Sequence, residues 1–241
     1  MRERLFVVGD VHGCARELEA LVGGLGLAAG DTIAFVGDYL DRGPDARGVV
    51  DQLLALEARD DVRAVFLKGN HEDMCLAWLG RPGRWGEAWF ANGGVTTLRS
   101  YGLDGRVVPR DAAVLLPPEH LAFLDRLRPH HREPGWIVVH AGIRPGRPLE
   151  AQDEEDLFWI REEFIDAPHP LPETVVFGHT PMRDVLVDLP YKIGIDTGCV
   201  YGGALTALAL PERVVHQVRR DERRVRSRPL PASIVRHADA R

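Results

Sequence analysis

The chain has 241 residues and a mass of 26.8 kDa, long for an average domain but ordinary for a single α/β domain. Its apolar share of 45% and charged share of 27% are those of a globular protein, and they exclude collagenous, low-complexity and wholly disordered readings. The net charge of −6 conceals an asymmetry: residues 211–241 hold nine arginines against four acids, so the rest of the chain carries −11. An acidic body argues against general nucleic-acid binding as the main task.

In chain order, short apolar runs alternate with helical patterns. Residues 5–8, 32–36 and 62–67 are rich in Val, Ile, Phe and Leu on both faces and read as buried strands. Between them, residues 14–25 and 45–58 space their apolar side chains at three and four, as amphipathic helices do. This alternation predicts an α/β fold with a parallel sheet. Residues 76–134 read as a mainly helical insertion, punctuated by Arg81-Pro82-Gly83 and Leu116-Pro117-Pro118. Further strands are predicted at 136–139, 174–177, 191–195 and 204–210, with a final strand after residue 211. One domain is expected over 1–218, followed by a basic, solvated and disordered tail over 219–241.

No segment approaches the roughly 18 apolar residues that cross a bilayer. Met1-Arg2-Glu3-Arg4 runs straight into Leu5-Phe6-Val7-Val8, without the long apolar centre of a signal peptide. Cys14, Cys75 and Cys199 lie far apart and suggest neither a disulfide framework nor a zinc knuckle. A cytoplasmic protein without membrane contact is therefore expected; nothing in the sequence indicates its oligomeric state.

The chemistry sits just past the strands. Gly9-Asp10-Val11-His12-Gly13 follows the first, Gly37-Asp38-Tyr39-Leu40-Asp41-Arg42-Gly43 the second, and Gly69-Asn70-His71-Glu72 the third. His140-Ala141-Gly142 and Gly178-His179-Thr180 follow two later ones. Taken singly, such an Asp is usually a turn former and such a His a satisfied core residue. Five in succession change the odds, because the C-terminal ends of strands in an open α/β sheet gather in one crevice. Asp10, His12, Asp38, Asn70, His140 and His179 would meet there as the oxygen and imidazole ligand set of divalent cations.

In this order the motifs resemble the phosphoprotein phosphatase family of binuclear metallophosphoesterases, and in particular its bacterial and lambda-phage branch. The resemblance covers about residues 5–210. It implies two mixed sheets packed as a sandwich and flanked by helices. It also implies two divalent metal ions, Mn²⁺ first and Fe²⁺ or Zn²⁺ as alternatives. Asp10, His12 and Asp38 would hold one cation, and Asp38, Asn70, His140 and His179 the other, with Asp38 bridging. Where the wider superfamily often reads GH-x-H, this chain has Gly178-His179-Thr180-Pro181, so the first cation lacks one histidine ligand. The reaction implied is direct attack of a metal-bridging hydroxide on phosphorus.

Arg42, and Arg161 within Leu157-Phe158-Trp159-Ile160-Arg161, would clamp the phosphate, while Asp41 and His71 would form a proton-donating dyad. Tyr201, in the glycine-rich stretch 196–203, is a candidate substrate contact, and Asn92-Gly93-Gly94 is first of all a turn. The expected substrates are phosphoserine and phosphothreonine proteins, with phosphotyrosine and small phosphoesters in second place. Symmetrical hydrolysis of bis(5'-nucleosyl) tetraphosphates is the alternative. Glu72 favours the first reading, since the dinucleotide hydrolases usually carry Asp in GNHD.

Overall fold

In a parallel strand covered on both faces, alternate side chains serve two different cores. That is how the first strand, β1 (Leu5–Val8), works: Phe6 and Val8 face a helical layer, while Leu5 and Val7 face a second sheet. The structure is a computed structural model that describes residues 3–230.

From β1 the chain runs through α1 (Ala15–Gly24), β2 (Thr32–Phe35), α2 (Ala46–Glu57) and β3 (Arg63–Phe66) to α3 (Asn70–Trp78). The insertion follows as α4 (Gly94–Ser100), α5 (Pro109–Leu115) and α6 (Pro118–Asp125). Next come β4 (His130–Glu133), β5 (Trp136–Val139), α7 (Glu154–Trp159) and α8 (Glu162–Ile165). The remainder is all strand: β6 (Thr174–Phe177), β7 (Leu186–Asp188), β8 (Lys192–Gly194), β9 (Ala204–Leu210), β10 (Val214–Arg219) and β11 (Val225–Pro229).

Two mixed sheets result, with strand orders β11-β10-β9-β1-β2-β3 and β4-β5-β6-β8-β7. The runs β1–β2–β3 and β5–β6–β8 are parallel, and the remaining neighbours are antiparallel. Val7, Ala34, Val36, Val65 and Leu67 of one sheet interdigitate with Val138, Val176, Val187 and Ile193 of the other. On the outer faces, α1, α2 and the insertion cover the six-stranded sheet, and α7 and α8 cover the other. The expected α/β sandwich flanked by helices is what forms.

Two departures have physical causes. The reading of the sequence misses β4, β7 and β11, and each is an edge strand with a single neighbour. Edge strands tolerate the charge and proline of His-His-Arg-Glu or Val-Arg-Ser-Arg-Pro, so they carry no apolar signal. The domain also does not stop at residue 218: β10 ends at Arg219 and β11 pairs along it, so much of the expected basic tail is sheet. Residues 231–241 of that tail lie outside the described residues.

Because β1, β2, β3, β5, β6 and β8 point their C-terminal ends the same way, the segments after them converge at one edge of the sandwich. The six residues expected as ligands all lie on five of these segments.

Candidate metal centre and active site

Five of the eight non-glycine residues with positive φ among those described belong to this edge: His12, Asp38, Asp41, Arg42 and His179. Such backbone costs of order 1–3 kcal/mol each and persists only where its surroundings over-determine it. The surroundings here include Glu72, wholly buried at the third position of α3. Its Oε2 accepts the backbone N–H groups of Asp38 (2.8 Å) and Gly69 (3.0 Å), and its Oε1 those of Tyr39 (2.8 Å) and Leu40 (3.1 Å). One carboxylate thus fixes the loops after β2 and β3. Glycine is required at Gly178, where a Cβ would come within 2.0 Å of Asp10 Oδ1.

Four lone-pair atoms crowd together at the centre. His140 Nε2 lies 3.0 Å from Asn70 Oδ1, 3.2 Å from His179 Nδ1 and 3.4 Å from Asp38 Oδ1, and His179 Nδ1 is 3.0 Å from Asn70 Oδ1. His140 Nδ1–H donates to the Val36 carbonyl, which turns Nε2 inward as the free base. Beside them His12 Nε2 lies 3.3 Å from Asp38 Oδ2, its own Nδ1–H donating to the Leu40 carbonyl. Asp38 therefore presents one oxygen to each histidine group, as a bridging carboxylate would. Asp10 lies outside both groups: it accepts the backbone N–H of His179 on both oxygens, at 3.1 and 3.0 Å.

The electrostatics agree with a site built for cations. Burial, with Glu72 next, drives Asp38 well above the usual carboxylate range; burial, then Asp196 and Asp38, does the same to Asp10. Burial likewise pushes His12, His140 and His179 well below the ordinary imidazole value. Crowded carboxylates and neutral imidazoles in a desolvated spot are costly alone, and divalent cations relieve both costs. The donor set, all oxygen and imidazole nitrogen, suits Mn²⁺, Fe²⁺ or Zn²⁺. The residues fit the metals.

A cavity of about 180 Å³ opens over this centre, lined by Asp38, Arg42, Asn70, Arg161, His179, Pro181 and Tyr201. Arg161 is brought in by its Nη1, which donates to His179 O (3.3 Å) and Thr180 Oγ1 (3.1 Å). Arg42 Nη1 lies 2.7 Å from His12 Nε2, and its guanidinium sits 5.5 Å from the ring centre of the exposed Tyr201. The Asn92-Gly93-Gly94 turn packs behind Arg42: a Cβ on Gly93 would meet Arg42 N at 2.8 Å.

His71 and Asp41 pair as expected, Nδ1 to Oδ2 at 2.6 Å, with both side chains buried. His71 Nε2 is buried without a partner and lies 3.9 Å from Asp38 Oδ2, so its free nitrogen faces the centre. Burial raises Asp41 to about 7, against the hydrogen bonds that Thr97 and Trp89 donate to it.

The sequence reading misses these two supports. Thr97 Oγ1–H reaches Asp41 Oδ1 at 2.6 Å, and Trp89 Nε1–H is shared between both oxygens at 3.0 and 2.9 Å. Neither stands in a motif, and only the folding of the insertion brings them to Asp41. Asp196 is missed as well, although it follows β8 as the other site acids follow their strands. It is buried near Arg42 and Arg161, accepts the N–H of Gly198 (2.9 Å), and is raised to about 6 by burial.

The sequence profile of the calcineurin-like phosphoesterases matches residues 3–209. The chain belongs to this family. It is thus a metallophosphoesterase, from a family that uses a binuclear metal centre. A relative in Geobacillus thermodenitrificans, named bis(5'-nucleosyl)-tetraphosphatase PrpE (asymmetrical), is 31% identical over 236 residues, covering 86% of this chain and 90% of its own. A solved structure provisionally named a diadenosine tetraphosphatase superposes with a TM-score of 0.69 at 29% identity, covering 90% of this chain and 94% of its own. A protein serine/threonine phosphatase from Saccharomyces cerevisiae shares the fold alone, at 16% identity and a TM-score of 0.59, covering 98% of this chain and 82% of that one.

These findings overturn the expectation of a protein phosphatase, and the named relative is asymmetrical where the alternative reading was symmetrical. The structure explains the error. Glu72, the residue that favoured phosphoprotein substrates, is buried under four backbone N–H groups, so its identity reports loop packing and not substrate. No helix among the described residues is long and apolar enough to cross a membrane.

Proposed function

We propose that this metallophosphoesterase hydrolyses dinucleoside tetraphosphates asymmetrically, taking up water to give a nucleoside triphosphate and a nucleoside monophosphate. One observation carries the reading: relatives that bear this activity in their names match the chain along nearly its whole length. The charge around the cavity supports it, since the reacting phosphate would arrive between two arginines.

Asp10, His12 and Asp38 would hold one divalent cation, and Asp38, Asn70, His140 and His179 the other, with Mn²⁺ the first choice. When bound, such a pair supplies an activated water and neutralises charge on the phosphoryl oxygens. Arg42 and Arg161 grip the remaining phosphoryl oxygens with planar, charge-assisted hydrogen bonds and fix the phosphorus in the 180 Å³ cavity. Tyr201 lines the same cavity beside Arg42 and contacts the substrate there. His71, oriented through Nδ1 by Asp41, offers the proton on Nε2 to the departing oxygen. Trp89 and Thr97 keep Asp41 in place for that task.

The test is a side-by-side assay of the Mn²⁺-loaded protein on diadenosine tetraphosphate and on phosphoserine peptides. A kcat/KM much higher for the dinucleotide is expected. A preference for the peptides would refute the proposal.

A further inference from the structure

The metal cavity is small, and a second, larger hollow of about 830 Å³ adjoins it. Pro181 and Tyr201 line both, so the two spaces meet at the Tyr201 ring. The larger groove runs along the β10–β11 edge of the six-stranded sheet. The antiparallel register sets Gln217 opposite Arg226, and puts Arg219, Gln217, Arg226 and Arg228 on one face of that edge. The loop after β6, with Arg183 and Asp184, forms the opposite wall.

Four arginines thus stand in this groove against one aspartate. Arg228 is paired with Asp184, and Arg226 with Glu222 at 2.6 Å. The exposed side chains of Arg183 and Arg219 make no hydrogen bond or ion pair among the described residues. Three of the four belong to the basic C-terminal segment that gives the sequence its charge asymmetry. A volume of this size is in the range that holds a drug-sized or nucleotide-sized ligand, roughly 300–1,000 Å³. Guanidinium forks suit phosphate, and the exposed Tyr201 ring with Pro181 and Met182 offers apolar surface to a base or sugar.

We infer that this groove is the subsite for the far half of the substrate. The polyphosphate beyond the reacting phosphorus runs past Tyr201 onto Arg219 and Arg183, and the distal nucleoside fills the remainder. The inference rests on the dinucleotide reading and adds to it a cause for asymmetry. A basic strip that anchors the chain on one side of the reacting phosphorus fixes how many phosphates lie on that side. A simple phosphomonoester leaves the groove empty and gains nothing from its arginines.

The experiment compares diadenosine tetraphosphate with p-nitrophenyl phosphate in the metal-loaded protein, before and after the double substitution Arg183→Gln with Arg219→Gln. The ratio of kcat/KM for dinucleotide over monoester should fall on the order of tenfold, as expected for losing two partly exposed charge-assisted contacts, with the change in the dinucleotide KM. Arg224→Gln, an exposed residue outside the groove, removes charge without touching it and should leave the ratio as in the parent. A ratio unchanged in the double variant, or lowered equally by Arg224→Gln, overturns the groove assignment while dinucleotide hydrolysis stands. If the parent protein does not cleave the dinucleotide at all, the underlying reading fails and the groove assignment falls with it.

Discussion

Thr97→Val tests whether the insertion helices serve the site or merely cover the sheet. The substitution keeps the side-chain volume, so no cavity opens, but it removes a hydroxyl that works in both directions. Thr97 Oγ1 donates to Asp41 Oδ1 at 2.6 Å and accepts the Asp41 backbone N–H at 2.8 Å. Losing a bond to a charged acceptor costs about 1.5–3 kcal/mol, and orphaning a buried N–H about 1–3 kcal/mol. The two overlap because they share one residue, so a total near ~3 kcal/mol is expected. For a domain of this size that is roughly 6–12 °C in Tm, measurable by calorimetry of the metal-loaded protein. Asp41 and Arg42 both have positive φ, at 69° and 66°, and the Thr97 bond holds the start of that turn. Releasing it should also loosen Arg42, so inhibition by free phosphate should weaken. A stability loss below about 0.5 kcal/mol, the scatter of ordinary surface changes, with phosphate inhibition intact would refute this reasoning.

Three further outcomes are expected. Chelation by EDTA should abolish activity and Mn²⁺ should restore it, while Asp38→Asn, which removes the negative charge of the bridging side chain, should lower metal content in elemental analysis together with the rate. Arg42→Ala and Arg161→Ala should each retain metal but raise the inhibition constant for phosphate at least tenfold, since a charge-assisted pair in a desolvated site contributes about 2–5 kcal/mol; unchanged inhibition would return either arginine to a surface role. His71→Asn should slow alkyl phosphates far more than p-nitrophenyl phosphate, because general acid catalysis, worth about 10²–10⁴-fold, matters most for a poor leaving group. An equal fall for both would place His71 outside proton donation.

What was legible in the sequence follows from where the signals come from. Strands buried on both faces must be apolar throughout, so β1, β5, β6 and β9 are readable to the residue, and the turns after them carry their acids and histidines as short fixed strings. Edge strands such as β4 and β11 have no such obligation and were missed. Arg161 lies far from the other motifs, and the structure brings it to the cavity through Thr180 and the His179 carbonyl. Trp89 and Thr97 reach Asp41 across 48 and 56 residues of chain, a convergence that no local pattern encodes. Substrate class was misjudged because Glu in place of Asp at position 72 was read as a mark of substrate preference, whereas its carboxylate is consumed by the loops that hold the site. The groove of arginines was visible only as a charge imbalance, and its meaning depended on β10 and β11 folding back beside Tyr201.

The most direct test of the central claim is the identity of the products formed from diadenosine tetraphosphate by the Mn²⁺-loaded protein, resolved by anion-exchange chromatography at low conversion. Equal amounts of ATP and AMP, with no ADP, are what an asymmetrical cut of the tetraphosphate must give. ADP as the sole nucleotide product would mean a symmetrical cut and would contradict the account.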